Sequence, residues 1–130
     1  TQATHLESGT LIYTDAPKDN QGLGSCFSPT DLLATSLGAC MLTIMAIAAK
    51  THGFEHKLID AKIDITKIMS ADPRRVGEVK VVFSFREGIT FTDKEKAIII
   101  NSTKTCPVAL SLHPETIKSV IFNFEAQPEQ

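Results

Sequence analysis

Residues 32–49 form a run of 18 residues without a charged side chain. A run of this length and composition is typical of a helix that is buried on most of its sides. Ser28 and Pro29 suit the N-cap and the first helical position, and Gly53 suits the end of the helix. The sequence therefore predicts one long central helix over about residues 29–52.

The same run approaches the minimum length of a membrane-spanning helix. A buried helix is the preferred interpretation, because the run contains Thr and Ser, because Asp31 and Ser28 can form a capping box, and because three amphipathic strands elsewhere need a core. We therefore expect no membrane partner. The sequence shows no basic-then-apolar leader, and a cytoplasmic location is expected.

Alternating apolar and polar residues predict strands elsewhere in the chain. Residues 58–68 (LIDAKIDITKI) and 78–87 (EVKVVFSFRE) each have one polar face, and the turn-rich residues 69–77 between them indicate a hairpin. A last strand is predicted over about residues 119–125, and a short strand is predicted at residues 11–13.

Two further helices are predicted in the second half of the chain. Thr92 and Glu95 match a T-x-x-E capping box, and Cys106 stands at the N-cap of a short helix that begins with Pro107. The order of elements predicts an α+β fold, with helices on one face of an antiparallel sheet. The length of 130 residues predicts a single domain over residues 1–130.

Several classes of protein are disfavoured by charge and by cysteine spacing. The net charge of −2 gives no reason to expect nucleic acid as a partner. The three cysteines lie far apart and form no C-x-x-C pair, which argues against a cysteine zinc site and against a disulfide framework.

The central helix is predicted to be apolar nearly all round, so that one sheet cannot cover it. The small residues Ala34, Gly38 and Ala39 would let a second helix approach closely. We therefore expect an obligate homodimer in which the central helices of two chains pack together.

The cysteines allow structural and chemical interpretations. Cys40 lies in the uncharged run, where a free cysteine usually acts as a small apolar residue. Cys106 is different, because a thiol at an N-cap faces unpaired amides and the positive end of the helix dipole, which favour thiolate. A loop cysteine of no consequence is the equally weighted alternative for Cys106. Cys26, in a glycine-rich loop, is expected to be incidental unless it is exposed and reacts.

Two segments carry a resemblance to a known family. Residues 27–41 (FSPTDLLATSLGACM) and 105–114 (TCPVALSLHP) look like the cysteine motifs of the OsmC/Ohr family of thiol-dependent peroxidases. The resemblance covers nearly the whole chain, including the order of its elements. It implies an OsmC-like α+β fold, in which two subunits form an intertwined homodimer with two long helices at its centre.

The resemblance also implies a reaction. Cys40 matches the peroxidatic cysteine of the family, and Cys106 matches the resolving cysteine. Family members typically reduce organic hydroperoxides, and many are re-reduced by dithiols of the lipoyl type, without a metal or bound cofactor. The implied cycle forms a sulfenic acid on Cys40 and then a Cys40–Cys106 disulfide, which an external dithiol reduces. The pocket for a small hydrophobic peroxide is expected to be apolar and to consist of Leu33, Leu37, Met41 and Ile44.

The sequence departs from the family at the residues that activate the thiolate, which are an arginine and a glutamate that holds it. The glutamate position is Thr30 here, Asp31 lies roughly opposite Cys40 around the helix, and residues 1–73 contain no arginine. The departure resembles a less characterised branch of the family. Three functions therefore stay open: a two-cysteine peroxidase, an OsmC-like redox-responsive or small-molecule-binding protein with little turnover, and a structural dimer whose cysteines are core residues.

Overall fold

The computed structural model describes residues 1–125, which group into two compact units, one over Thr1–Leu33 and one from Ala34 onward. The prediction of one domain stays a prediction. In the first unit, β1 (Gln2–Thr4) and β2 (Leu11–Tyr13) pair antiparallel. The apolar residues of β2 are exposed, with Tyr13 at 55%.

The uncharged run forms the predicted helix, α1 (Pro29–Thr51). At its start the Ser28 Oγ accepts a hydrogen bond from the Asp31 amide at 3.0 Å, and the Asp31 carboxylate accepts one from the Ser28 amide at 2.9 Å. These two bonds are the predicted capping box. By length and composition alone α1 could cross a membrane, a test that the core helix of a soluble protein also passes.

One face of α1 is buried within the chain, at helical spacing: Ala34, Leu37, Gly38, Met41, Met45 and Ala49. Gly38 brings the helix close to the sheet, since a Cβ at this position would lie 2.5 Å from Ile65 Cδ1. The expectation that Ala34, Gly38 and Ala39 receive a second helix is therefore wrong for Ala34 and Gly38. Of these three residues, only Ala39 is exposed.

The larger sheet contains β3 (Lys62–Ala71), β4 (Arg74–Ser84) and β5 (Ile117–Asn123) in the order β3-β4-β5. β3 and β4 form the predicted antiparallel hairpin, whereas β5 is parallel to β4. The α+β class is confirmed, with the correction that this sheet is mixed. Two helices separate β4 from β5, and a helical crossover allows a strand to return in the parallel direction.

The hairpin is longer than the sequence pattern indicates. Strand pairing continues to Ala71 and Arg74, so that only Asp72 and Pro73 remain in the connection. The register shifts at Ile68, where the alternation of side chains changes phase. This shift explains why the alternation that predicts the strands stops before their true ends.

The second helix, α2 (Asp93–Thr103), begins at the predicted capping box of Thr92 and Glu95. The Glu95 carboxylate accepts hydrogen bonds from the Thr92 amide at 2.9 Å and from Lys57 Nζ at 2.8 Å. The short helix α3 (Pro107–Ser111) follows Cys106 as predicted.

The core of the second unit joins the buried face of α1 to the inner face of β4 and to one side of α2. Apart from Ser28, which belongs to the first unit, its largest fully buried side chains are Phe83, Leu37, Met45, Ile99, Val79, Val81 and Cys106. A thiol is therefore part of the apolar core.

Candidate functional site

Cys106 connects α2 to α3 and occupies the predicted N-cap of α3. Its Sγ accepts a hydrogen bond from the Ala109 amide at 3.4 Å. The side chain has no exposed surface and belongs to the core cluster. The thiol is thus held by a backbone amide inside an apolar environment.

Burial raises the pKa of the Cys106 thiol above its ordinary value of 9.0, because an apolar environment penalises the thiolate. The amides of Ala109 and Val108 lower this pKa through hydrogen bonds, and the Cys40 side chain raises it through a hydrogen bond and through charge. The net direction is upward. The capping amides therefore favour thiolate at Cys106, as the N-cap position predicts, but burial outweighs them in the reduced protein.

Cys40 lies on α1 between Met41, which faces the core, and Ala39, which is exposed. Its side chain is half-buried and packs against the core cluster from the edge. The uncharged run predicts a buried Cys40, whereas the structure leaves this side chain half-buried. Cys106 is the enclosed sulfur, and Cys40 is the one that solvent reaches.

The structure brings Cys40, on α1, close to Cys106, at the N-cap of α3, although the two residues are far apart in the sequence. The Cys40 side chain lies near enough to contribute to the raised pKa of Cys106. Both are free thiols, and a third free thiol, Cys26, is exposed in the first unit. Two thiols that interact can form a disulfide by a two-electron oxidation.

The four residues predicted to line a peroxide pocket differ in their surroundings. Leu37 and Met41 are enclosed in the core, at 0% and 3% exposure, and Ile44 packs partly against it. Leu33 belongs to the first unit and is 42% exposed. A pocket made by these four residues stays a prediction.

A different apolar surface, which we call the α1 groove, lies on the exposed side of the helix. It has a volume of about 680 Å³, and its lining residues are Ala39, Leu42, Thr43, Ala46, Ile47, Lys50, Glu55 and Ile63. Ile47 is 60% exposed. None of these residues belongs to the predicted pocket. The four-residue spacing of Ala39, Thr43 and Ile47, opposite the buried face, is the sequence signal that could have identified the groove.

The charged side chains of the described residues give no evidence of a metal site, and Arg75 forms an ion pair. Arg75 contacts Glu115 at 3.3 Å and donates a hydrogen bond to the Val76 carbonyl. Within residues 1–125, no group of three or more His, Cys, Asp or Glu side chains could hold a metal ion. The interacting cysteines are therefore the candidate functional site.

Comparison with known proteins places the chain in a family. Residues 22–120 match the family described as OsmC-like protein. A crystal structure from Psychrobacter arcticus 273-4, of a protein whose name refers to osmotic stress induction and a detoxification response, shares 48% identity with a TM-score of 0.87, over 94% of this chain and 86% of that chain. None of the curated proteins matches the chain.

More distant structures share the fold. An organic hydroperoxide resistance protein OsmC from Legionella pneumophila has 14% identity and a TM-score of 0.69, over 94% of this chain and 88% of that chain. The organic hydroperoxide resistance protein OhrB of Bacillus subtilis has 18% identity and a TM-score of 0.55, over 76% of this chain and 72% of that chain. The family match spans both Cys40 and Cys106. The chain therefore belongs to the OsmC/Ohr family of OsmC-like proteins.

Proposed function

We propose that this protein is a thiol-dependent peroxidase that reduces small organic hydroperoxides through Cys40 and Cys106. The observation that carries the proposal is the closeness of these two thiols, one on α1 and the other at the N-cap of α3. The names of two structural neighbours refer to organic hydroperoxide resistance and support the same chemistry.

The unequal exposure of the two thiols supports their division of roles. Cys40 is half-buried, so that a peroxide can reach its sulfur, whereas Cys106 has no exposed surface. The first sulfur to be oxidised must meet the substrate, and the second must meet only the first. Cys40 is therefore the peroxidatic cysteine of the proposal, and Cys106 is the resolving cysteine.

The proposed reaction has two oxidative steps. The Cys40 thiolate attacks the outer peroxide oxygen, and the O–O bond breaks, so that Cys40 becomes a sulfenic acid. The alkoxide that leaves takes up a proton from the solvent and departs as the alcohol. The Cys106 sulfur then attacks the Cys40 sulfur and loses its proton, the S–O bond breaks, and water leaves. The product is a Cys40–Cys106 disulfide.

The apolar surroundings of Cys40 support an apolar substrate. Cys40 packs against the apolar core cluster, which includes Met41. The transfer of a hydrophobic peroxide from water into apolar surroundings costs less free energy than the transfer of hydrogen peroxide. The disulfide returns to two thiols when an external dithiol, of the lipoyl type in the proposal, becomes oxidised in exchange. The proposed cycle needs no metal or bound cofactor, and a cytoplasmic site of action is part of the proposal.

The proposal includes an intertwined homodimer. The exposed face of α1 carries Ala39, Thr43 and Ile47, and β2 exposes Leu11 and Ile12. Apolar groups in these positions cost free energy in water and would be stabilised by a second copy of the chain. A second α1 helix seated along the α1 groove would cover the exposed face.

A small-molecule-binding protein with little turnover is the second candidate function. The observation that favours it is the α1 groove, whose volume of about 680 Å³ lies in the range of small-molecule sites. Such a protein would bind apolar molecules without consuming peroxide.

Steady-state consumption of cumene hydroperoxide, with dihydrolipoamide as reductant, tests the proposal. The matched set is Cys40→Ser, Cys106→Ser and the control Cys26→Ser, which removes the exposed cysteine of the first unit. We expect no consumption with Cys40→Ser, about one turnover with Cys106→Ser, and unchanged turnover with Cys26→Ser. Equal turnover in all three variants would reject the peroxidase proposal.

A further inference from the structure

We propose that the external thiol which reduces the oxidised protein attacks the sulfur of Cys40, and that Cys106 is the sulfur which leaves. This inference rests on the proposed function, because it concerns the Cys40–Cys106 disulfide. It assigns the position at which the reductant must bind, on the Cys40 side of the sulfur pair.

The two sulfurs differ in how easily an external thiolate can reach them. In thiol–disulfide exchange the attacking thiolate approaches one sulfur in line with the bond that breaks. Cys106 has no exposed surface, and the core cluster to which it belongs includes Phe83 and Leu37. A thiolate that attacked Cys106 would have to enter this core and lose its hydration there. Cys40 is half-buried at the edge of the same cluster.

The raised pKa of Cys106 gives an opposing effect. A thiol of lower pKa leaves faster in exchange, and burial raises the pKa of Cys106. Acidity alone would therefore make Cys106 a slow leaving group. Access decides the site of attack, because a sulfur that the nucleophile cannot reach is not attacked. This holds whatever the pKa of the sulfur that would leave.

The structure offers support for the departing sulfur. The Ala109 amide, which donates to Cys106 Sγ at 3.4 Å, remains available as charge develops on that sulfur. Burial then favours uptake of a proton by Cys106 once its bond to Cys40 has broken.

Reduction of the disulfide takes two exchange steps. One thiolate of the dithiol forms a bond to Cys40 Sγ, the Cys40–Cys106 bond breaks, and Cys106 takes up a proton. The second thiolate of the reductant then attacks the reductant's own sulfur in the mixed disulfide and expels Cys40 as a thiolate. The dithiol becomes a disulfide, and both cysteines are reduced.

Trapping of the mixed disulfide tests the proposal. The disulfide is formed with diamide, which requires no peroxidase activity, in the Cys26→Ser protein so that a third thiol cannot exchange. The oxidised protein is treated briefly with 2-mercaptoethanol and quenched with acid. It is then unfolded, alkylated with N-ethylmaleimide and mapped by mass spectrometry. We expect mercaptoethanol on Cys40 and maleimide on Cys106, with the opposite pattern less abundant by more than about tenfold.

Two results would overturn the inference. One is a mercaptoethanol adduct mainly or equally on Cys106, and the other is the absence of an intramolecular disulfide after diamide. A protein that shows the expected adduct but consumes no peroxide would retain this inference about the disulfide and would reject only the peroxidase proposal.

Discussion

The thiols of Cys40 and Cys106 lie close enough for Cys40 to help raise the pKa of Cys106, yet Cys40 is half-buried and Cys106 has no exposed surface. The difference arises because Cys40 stands at the edge of the buried face of α1, whereas Cys106 turns into the core from the N-cap of α3. In the proposed peroxidase this asymmetry separates the thiol that meets peroxide and reductant from the thiol that only exchanges a bond with its neighbour.

The raised pKa of Cys106 predicts a pH dependence of stability in the reduced protein. The folded state holds the Cys106 proton more tightly than the unfolded state, whose thiol titrates near the ordinary value of 9.0. The stability that this group contributes is therefore complete below that pH and is lost as the pH rises through the raised value. The measurement is urea unfolding of the reduced wild type and of Cys106→Ser from about pH 7 to about pH 10.

We expect the difference in unfolding free energy between these two proteins to be constant near neutral pH. Above about pH 9 the wild type should lose stability relative to Cys106→Ser, because only the wild type must keep this proton. All other ionisable groups are common to the two proteins and cancel in the difference. A difference that did not change over the whole range would contradict the upward direction of the Cys106 pKa.

Close packing at Gly38 predicts a coupling with Ile65. Ala in place of Gly favours a helix by up to about 1 kcal/mol, but overpacking costs about 1–3 kcal/mol, and the new Cβ would lie 2.5 Å from Ile65 Cδ1. We therefore expect Gly38→Ala to destabilise the protein. In an Ile65→Val background, which lacks Cδ1, the same substitution should cost about 1 kcal/mol less. Additive effects in this double-mutant cycle, measured by urea unfolding, would show that the contact does not restrict the helix.

The elements that the sequence predicts well are those with local signals. The capping pairs Ser28–Asp31 and Thr92–Glu95 mark the starts of α1 and α2, and the alternation in β4 identifies its inner face. Both signals depend on neighbouring residues alone, so that no knowledge of the tertiary structure is needed.

Features that depend on tertiary contacts could not be read in the same way. The parallel entry of β5 beside β4 depends on the path of the crossover, and the true end of the hairpin depends on pairing after the register shift at Ile68. The half-buried position of Cys40 is a further example, because a position on an apolar helix does not reveal which side of the helix faces the core. For Cys106, the competition between burial and the capping amides is decided only by the packed structure.

The capping box of α2 predicts a measurable contribution to stability. Thr92→Ala removes the side-chain oxygen that accepts the Glu95 amide hydrogen bond at 3.2 Å. We expect a loss of about 1 kcal/mol in the free energy of unfolding. The matched control is Thr90→Ala, the same chemical change at an exposed residue that precedes the helix. Equal effects of the two substitutions in urea unfolding would mean that the cap adds no stability of its own.

The proposed dimer predicts that a charge on the exposed face of α1 separates the subunits. Ile47 is 60% exposed and lines the α1 groove, so that Ile47→Asp would place a carboxylate in the interface. The control is Leu110→Asp, which adds the same charge at a residue that is 76% exposed on α3. We expect light scattering after size exclusion to give a monomer mass for Ile47→Asp and a dimer mass for the wild type and the control.

A monomeric wild type would reject the dimer proposal. A dimer that persists in Ile47→Asp would show instead that the exposed face of α1 is not its interface.

The measurement that tests the central claim most directly is the intact mass of the reduced protein after one equivalent of cumene hydroperoxide, beside a hydrogen peroxide control. The account predicts rapid loss of two hydrogens, mapped to a Cys40–Cys106 disulfide, and faster loss with the organic peroxide. The control variant Cys26→Ser should lose the same mass at the same rate, because the exposed thiol of Cys26, which this variant lacks, has no part in the proposed pair. An unchanged mass, or a disulfide that includes Cys26, would contradict the assignment of Cys40 and Cys106 as the reactive pair.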